Sequence, residues 1–148
     1  MSLTLTQSLY DQLRAHGEET YPNECCGIML GKSTDDNITV QALVRAGNTR
    51  TDSAHNRYHI APQELIKAQR EGRAQGLDIV GFYHSHPDHP AQWSITDFNE
   101  AHWFGCAYVI TSVDGDKTTG AAQITNSFLL TGTGEEDKAF ANQPIEVA

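Results

Sequence analysis

Residues 84–90 read His-Ser-His-Pro-Asp-His-Pro. On an extended strand, residues two apart point to the same side, so His84 and His86 can bring two imidazoles to one point while Ser85 faces away. A catalytic zinc takes three protein ligands of the histidine and carboxylate kind and keeps one position for water. A third ligand is therefore required. One candidate set stays within the local string, where Asp88 and His89 follow directly. The other uses Asp97, separated from His86 by seven residues, Ser94 and two more residues. Placed on the first turn of a following helix, Asp97 can turn back toward the strand end. Ser94-x-x-Asp97 is also the pattern of a capping box, with the serine as N-cap and the acid near the positive helix end, and one residue can serve both purposes. His89 competes with Asp97 for the same position and is expected to be a loop residue.

The elements that must carry these residues are visible in the apolar pattern. Residues 77–84, with Ile79, Val80, Phe82 and Tyr83 and no clean alternation, read as a central strand buried on both faces, ending at the histidines. Residues 95–103 read as the short helix bearing Asp97. Residues 24–30 form a buried-strand pattern closed by Gly31, and after the polar turn 32–37 a second strand over 38–44 completes a hairpin. Leu5, Leu9 and Leu13 repeat every four residues, with Gly17 and Pro22 as stop signals, which predicts a helix over about residues 4–19 lying against the sheet. Residues 46–57 are polar and turn-rich, 58–61 read as a short strand, and Pro62 opens a helix through about Gln75, ended by Gly76. Further strands are predicted over 106–112, near 118–124 after the turn Asp114-Gly115-Asp116, and at 127–130. No element is assigned to 131–143.

With 148 residues the chain fits one domain with a proper core, 1–130 forming its body and 131–148 a C-terminal extension of the same domain. The formal charge of −9 comes from 19 carboxylates against 10 basic residues, with no positive stripe to track a phosphate backbone, so no nucleic-acid partner is expected. No segment approaches the ~20 apolar residues of a membrane span, and the start MSLTLTQSLYDQL lacks a signal-peptide pattern. No membrane partner is expected. Three cysteines, with Cys25 and Cys26 adjacent, make a poor disulfide framework and fit a reducing cytoplasm. Cys25, Cys26 and Cys106 are expected to be small buried residues, and His16, His55, His59 and His102 surface or structural ones. Oligomeric state has no signature here.

Two families share parts of the histidine pattern. The string from His84 to His89 matches H-x-H-x-D-H and so resembles the metallo-β-lactamase superfamily. That fold needs more chain and further ligands downstream, where His102 is the sole histidine left. His84-Ser85-His86, Ser94 and Asp97 together match H-[ST]-H-x7-S-x2-D, the motif of the JAMM (MPN-plus) zinc metallopeptidases. A second block, Tyr21-Pro22-Asn23-Glu24-Cys25-Cys26-Gly27, resembles that family's P-x-E-x-C-G strand, with weaker echoes at Asn48 and at 58–62. The resemblance spans about residues 5–125. Departures are Trp93 where proline is frequent, Cys25 beside the usual cysteine, and the tail.

The resemblance implies an α/β fold in which a curved mixed β-sheet lies between a long N-terminal helix and a shorter one, a cytidine-deaminase-like sandwich. It also implies Zn2+ held by His84, His86 and Asp97, Glu24 as catalytic general base and then acid, and Ser94 as catalytic donor to the oxyanion. The implied reaction is hydrolysis of the peptide or isopeptide bond after the Gly-Gly tail of a ubiquitin-like protein. Only a compact loop joins His86 to Ser94, so the chain is most similar to the minimal prokaryotic members, whose partners are ubiquitin-like sulfur-carrier proteins. A general small-peptide zinc metallopeptidase is the alternative within enzymes. A non-catalytic MPN-type scaffold is the alternative outside them, and the presence of all five site residues argues against it. Trp93 is expected either to wall the substrate groove or to join the core.

Overall fold

The computed structural model describes residues 1–48 and 59–148. The elements run β1 (Ser2–Leu5), α1 (Gln7–Thr20), β2 (Cys26–Ser33), β3 (Asn37–Ala46), α2 (Pro62–Ala74), β4 (Asp78–Pro87), α3 (Ile95–Asn99), β5 (Ala107–Gly115), β6 (Gly120–Thr131), β7 (Ala139–Gln143) and β8 (Ile145–Val147). The strands form one mixed sheet in the order β7-β6-β5-β4-β2-β3-β1-β8. β4, with the histidines at its end, is central: antiparallel to β2 and parallel to β5. Among the described residues no helix is long and apolar enough to cross a membrane.

The two longer helices cover opposite faces of the sheet. Leu13 of α1 packs with Met29, Val80, Tyr83 and Val109, whereas Ala68 of α2 packs with Ile28, Leu30, Phe82 and Tyr108. The missing alternation in β4 has a second cause besides burial on both faces. Met29 pairs with Gly81 and Leu30 with Ile79, so Val80 is an extra residue in the ladder, a β-bulge. It puts Ile79 and Phe82 on the α2 face and Val80 and Tyr83 on the α1 face. From there the period of two resumes, carrying His84 and His86 onto the face of Phe82 and Ser85 onto the face of Tyr83.

Several expectations change. The Leu5-Leu9-Leu13 repeat straddles two elements: Leu3 and Leu5 are buried from β1, and Thr6 starts α1 by accepting the Leu9 N–H at 3.2 Å. Gly17 lies inside α1 rather than at its end. A Cβ there would come within 3.0 Å of Val113 and 3.1 Å of Ser85, so glycine sets how closely the helix approaches the sheet. The second helix spans Pro62–Ala74 much as expected. Residues 59–61 form no strand, and Tyr58, His55 and most of the segment 46–57 lie outside the described residues. The helix expected over 95–103 ends at Asn99, and the strands expected near 118–124 and 127–130 are one, Gly120–Thr131.

The tail closes the sheet. β7 extends one edge by pairing with β6, and β8 extends the other by pairing in parallel with β1, with only Pro144 between them. Two consecutive strands can occupy opposite edges only if the sheet curls until those edges meet. Pro144 sits at this seam, and its carbonyl accepts the Leu3 N–H at 2.8 Å.

His16 of α1 is buried, with its Nδ1 2.8 Å from the Tyr83 hydroxyl. Burial, assisted by the Arg45 charge and opposed by Glu19, lowers its pKa from 6.5 to about 4. Below pH 6.5 the unfolded chain takes up a proton that the folded one refuses, so stability falls as the pH drops toward 4, by on the order of 3 kcal/mol. Thermal melts across this interval should therefore decline less steeply for His16→Gln than for the wild type; identical slopes would remove His16 as a source of acid lability.

Candidate active site

One pairing brings Glu24 to the histidines. Cys26, the first residue of β2, lies opposite His84. Just ahead of it the Cys25 N–H donates to Ser85 Oγ at 2.8 Å, while the Ser85 N–H donates to the Cys25 carbonyl at 3.3 Å. The residue between the two histidines thus grips the residue after Glu24. Cys25 belongs to the α1 side of the sheet and Cys26 to the α2 side, so the adjacent cysteines point apart and are both buried and free. Glu24 itself precedes the strand instead of lying in it. Asn48 adds a hold, its Nδ2 donating to the Glu24 carbonyl at 3.4 Å and its Oδ1 accepting the His59 N–H at 3.1 Å.

Asp97 arrives on α3. Ser94 Oγ accepts the Asp97 N–H at 3.0 Å and Asp97 Oδ2 accepts the Ser94 N–H at 2.9 Å, so both halves of the capping box exist. The same carboxylate reaches the histidines. His86 Nε2 lies 3.1 Å from Asp97 Oδ2, His84 Nε2 lies 3.4 Å from Asp97 Oδ1, and the two Nε2 atoms are 3.2 Å apart. Zinc bonds of 2.0–2.1 Å make the edge of a coordination tetrahedron about 3.3 Å, close to the Nε2–Nε2 separation, and each imidazole has one of the two Asp97 oxygens at a comparable distance. His86 Nδ1 lies 2.9 Å from the Pro90 carbonyl, which can only accept, so Nδ1 carries a hydrogen and Nε2 is the ring atom turned to the carboxylate and available to a metal. Electron pairs converging on one point are what a cation requires.

Glu24, His84 and His86 also form a set whose potential ligand atoms lie within 4.8 Å of one another. Asp97 and Glu24 are therefore two carboxylates at one pair of imidazoles, and their environments differ. Burial opposes ionisation of Asp97, but the charge and hydrogen bond of His84, with hydrogen bonds from His86 and the Ser94 N–H, outweigh it and hold the carboxyl well below the usual range. Glu24, 3% exposed, is pushed by burial up to about 8, with Asp97 and Glu100 acting the same way and His86 opposing. Its Oε1 has no hydrogen-bond partner among the described residues. The imidazoles diverge too: burial pulls His84 down, while at His86 burial is outweighed by Asp97 and the group is raised.

A cleft of about 420 Å³ opens beside these groups, lined by Glu24, His86, Trp93 and Ser94 among others. Trp93 lines this cleft and does not join the core: its ring rests on Phe98 and Phe140 while 38% of the residue stays exposed. His89 is an exposed loop residue on the cleft and lies outside the metal-binding set. Ser85 and the Pro90 carbonyl are contributors that residue spacing does not announce. A hydroxyl between two strand histidines is the one available signal, because it must point to the opposite face.

A family model described as prokaryotic homologs of the JAB domain matches residues 6–126. The desampylase of Haloferax volcanii is 34% identical over 120 residues, covering 78% of this chain and 84% of that protein. A Thermus thermophilus protein named "Probable TtuB-protein conjugate cleaving protease" is 32% identical over 113 residues, covering 76% of this chain and 72% of its own length. The solution structure of a Desulfitobacterium hafniense protein superposes with a TM-score of 0.80 at 25% identity, covering 99% of this chain and 92% of the other.

Replacing Ser85 by alanine leaves the Cys25 N–H buried without its acceptor, at a cost of about 1–3 kcal/mol. Ser85→Ala should lower the melting temperature and, by loosening Glu24, reduce turnover roughly tenfold at unchanged metal content. Unaltered turnover at reduced stability would confine Ser85 to a structural role.

Proposed function

The chain belongs to the family of prokaryotic homologs of the JAB domain, and we propose that it is a zinc-dependent peptidase acting on conjugates or precursors of a ubiquitin-like protein. The bond it hydrolyses is the peptide or isopeptide bond after the Gly-Gly tail of a ubiquitin-like sulfur carrier. The observation that carries this reading is the convergence of His84, His86 and the Asp97 carboxylate within 3.1–3.4 Å, with Glu24, whose Oε1 has no partner among the described residues, beside them. Two relatives named for desampylation and for cleaving TtuB-protein conjugates support the substrate class.

His84, His86 and Asp97 would hold the zinc, the histidines through Nε2 and the aspartate through its carboxylate. The metal, when bound, supplies a water acidified toward neutrality and polarises the scissile carbonyl. Glu24 accepts a proton at its carboxylate and returns it to the leaving amine; a carboxyl group raised to about 8 exchanges protons readily near neutral pH. Ser94 Oγ has a lone pair taken by the Asp97 N–H, which leaves the hydroxyl hydrogen to donate to the substrate oxygen, a contact worth about 3 kcal/mol in the barrier. Trp93 walls the cleft, beside which the tail of two glycines would lie extended. Three free, buried cysteines suit a reducing compartment, which supports a cytoplasmic setting.

The test is intact-mass spectrometry of a ubiquitin-like sulfur carrier bearing a short extension after Gly-Gly, incubated with and without a zinc chelator. Loss of the extension only without chelator is expected. Cleavage of short peptides but not of the carrier would favour a general peptidase. Glu24→Gln should keep zinc and lose at least ~100-fold in kcat, whereas Asp97→Ala should lose both. A Gln variant working at the wild-type rate would remove the base assignment.

A further inference from the structure

We propose that Lys138 is a positioning residue for Asp97, holding from behind the short helix that presents this carboxylate. The inference rests on the reading of Asp97 as a metal ligand. α3 packs through the Phe98 ring on Trp93 and Phe140, but it has five residues, none of them buried, so helix propensity is too weak to fix its backbone alone. It must be held at its ends. The N-terminal end is held by the capping box, which uses the Asp97 carboxylate itself and therefore cannot position it independently.

The other end is held by the tail. Carbonyls at a helix C-terminus lack helical partners and carry the negative end of the helix dipole. Lys138 Nζ donates to the Phe98 carbonyl at 2.8 Å and to the Ala101 carbonyl at 3.2 Å, and it lies 4.7 Å from the centre of the Phe98 ring. Its side chain is 3% exposed. A buried ammonium without such partners would be strongly unfavourable, so these bonds are made where water does not compete. Glu135 Oε2 neutralises the charge at 2.9 Å, and its Oε1 lies 3.0 Å from His102 Nδ1. Lys138 directly precedes β7, whose pairing with β6 fixes it, and Phe140 of β7 packs on Phe98 and Trp93. Glu135, Lys138 and Phe140 lie beyond residue 126, where the family match ends. The chain thus supports its Ser94–Asp97 turn from a segment outside the family pattern.

Without the ammonium the C-terminal end of α3 frays, and the Asp97 oxygens lose their fixed separations from His84 and His86. Lys138→Met keeps the length and apolar stem of the side chain. It should weaken zinc about 10–100-fold in a chelator competition, lower the intensity of the tetrahedral d–d bands of bound Co2+, and reduce kcat for the carrier with KM unchanged. Lys138→Arg should recover most of this. Should the Met variant not fold, Glu135→Gln at an exposed residue is read in the same way and must weaken zinc several-fold. Wild-type zinc affinity and cobalt spectrum in these variants, with only the melting temperature lowered, would overturn the positioning role alone. Failure of the wild type to bind zinc or cobalt would overturn the metal-site reading and this inference with it.

Discussion

The paired hydrogen bonds between Ser85 and Cys25 join the two segments from which the rest of the molecule is organised. Ser85 points to the α1 side, so its neighbours His84 and His86 must point the other way. By gripping Cys25 it brings Glu24 onto their face. On its own face it meets α1 at Gly17, where any larger residue would drive helix and strand apart. One small hydroxyl residue therefore sets the approach of the helix, the alignment of β2 with β4, and the meeting of a carboxylate with two imidazoles. The bulge at Val80 is the other half of this constraint, since it decides which face of β4 the histidines occupy.

Two carboxylates a few ångströms from the same imidazoles are given opposite characters. Asp97 is surrounded by donors and histidines and stays ionised, whereas Glu24 is enclosed with an oxygen that no described residue satisfies. Separating titratable groups in this way divides the labour of a hydrolytic site, one acid fixed as a charge and the other free to trade a proton. The fixed groups each have support behind them: Pro90 for His86, Ser94 for Asp97. Such an arrangement lowers the stability of the fold where it raises its reactivity, because a buried oxygen without a partner is unfavourable.

Much of the site was legible before any coordinates. His84 and His86 are separated by the period of a strand, Ser94 and Asp97 by the spacing of a helix cap, and the structure brings these four together with Glu24. The hairpin of β2 and β3 and the helix from Pro62 were readable because their turn and cap residues act locally. What escaped depends on partners distant in sequence. β1 is too short to show a period and gains its identity from β3 and β8. Gly17 resembles a helix terminator until Ser85 is seen beneath it. The tail pattern is polar because β7 and β8 are edge strands, and Lys138 looks like any surface lysine until α3 closes over it.

The position of β7 and β8 at the two ends of the sheet bears on how the protein is made. Residues 139–147 are synthesised after every other element, yet both sheet edges wait for them. A chain still emerging from the ribosome can pair β2, β3 and β4 and assemble the histidines. Until β7 and β8 arrive, β6 and β1 are its edges, and an open edge is a template for pairing with other chains. Docking β8 is a long-range pairing, joining residue 3 to residue 145, and a hydrolase built this way completes the frame around its cleft only once this stretch has been translated.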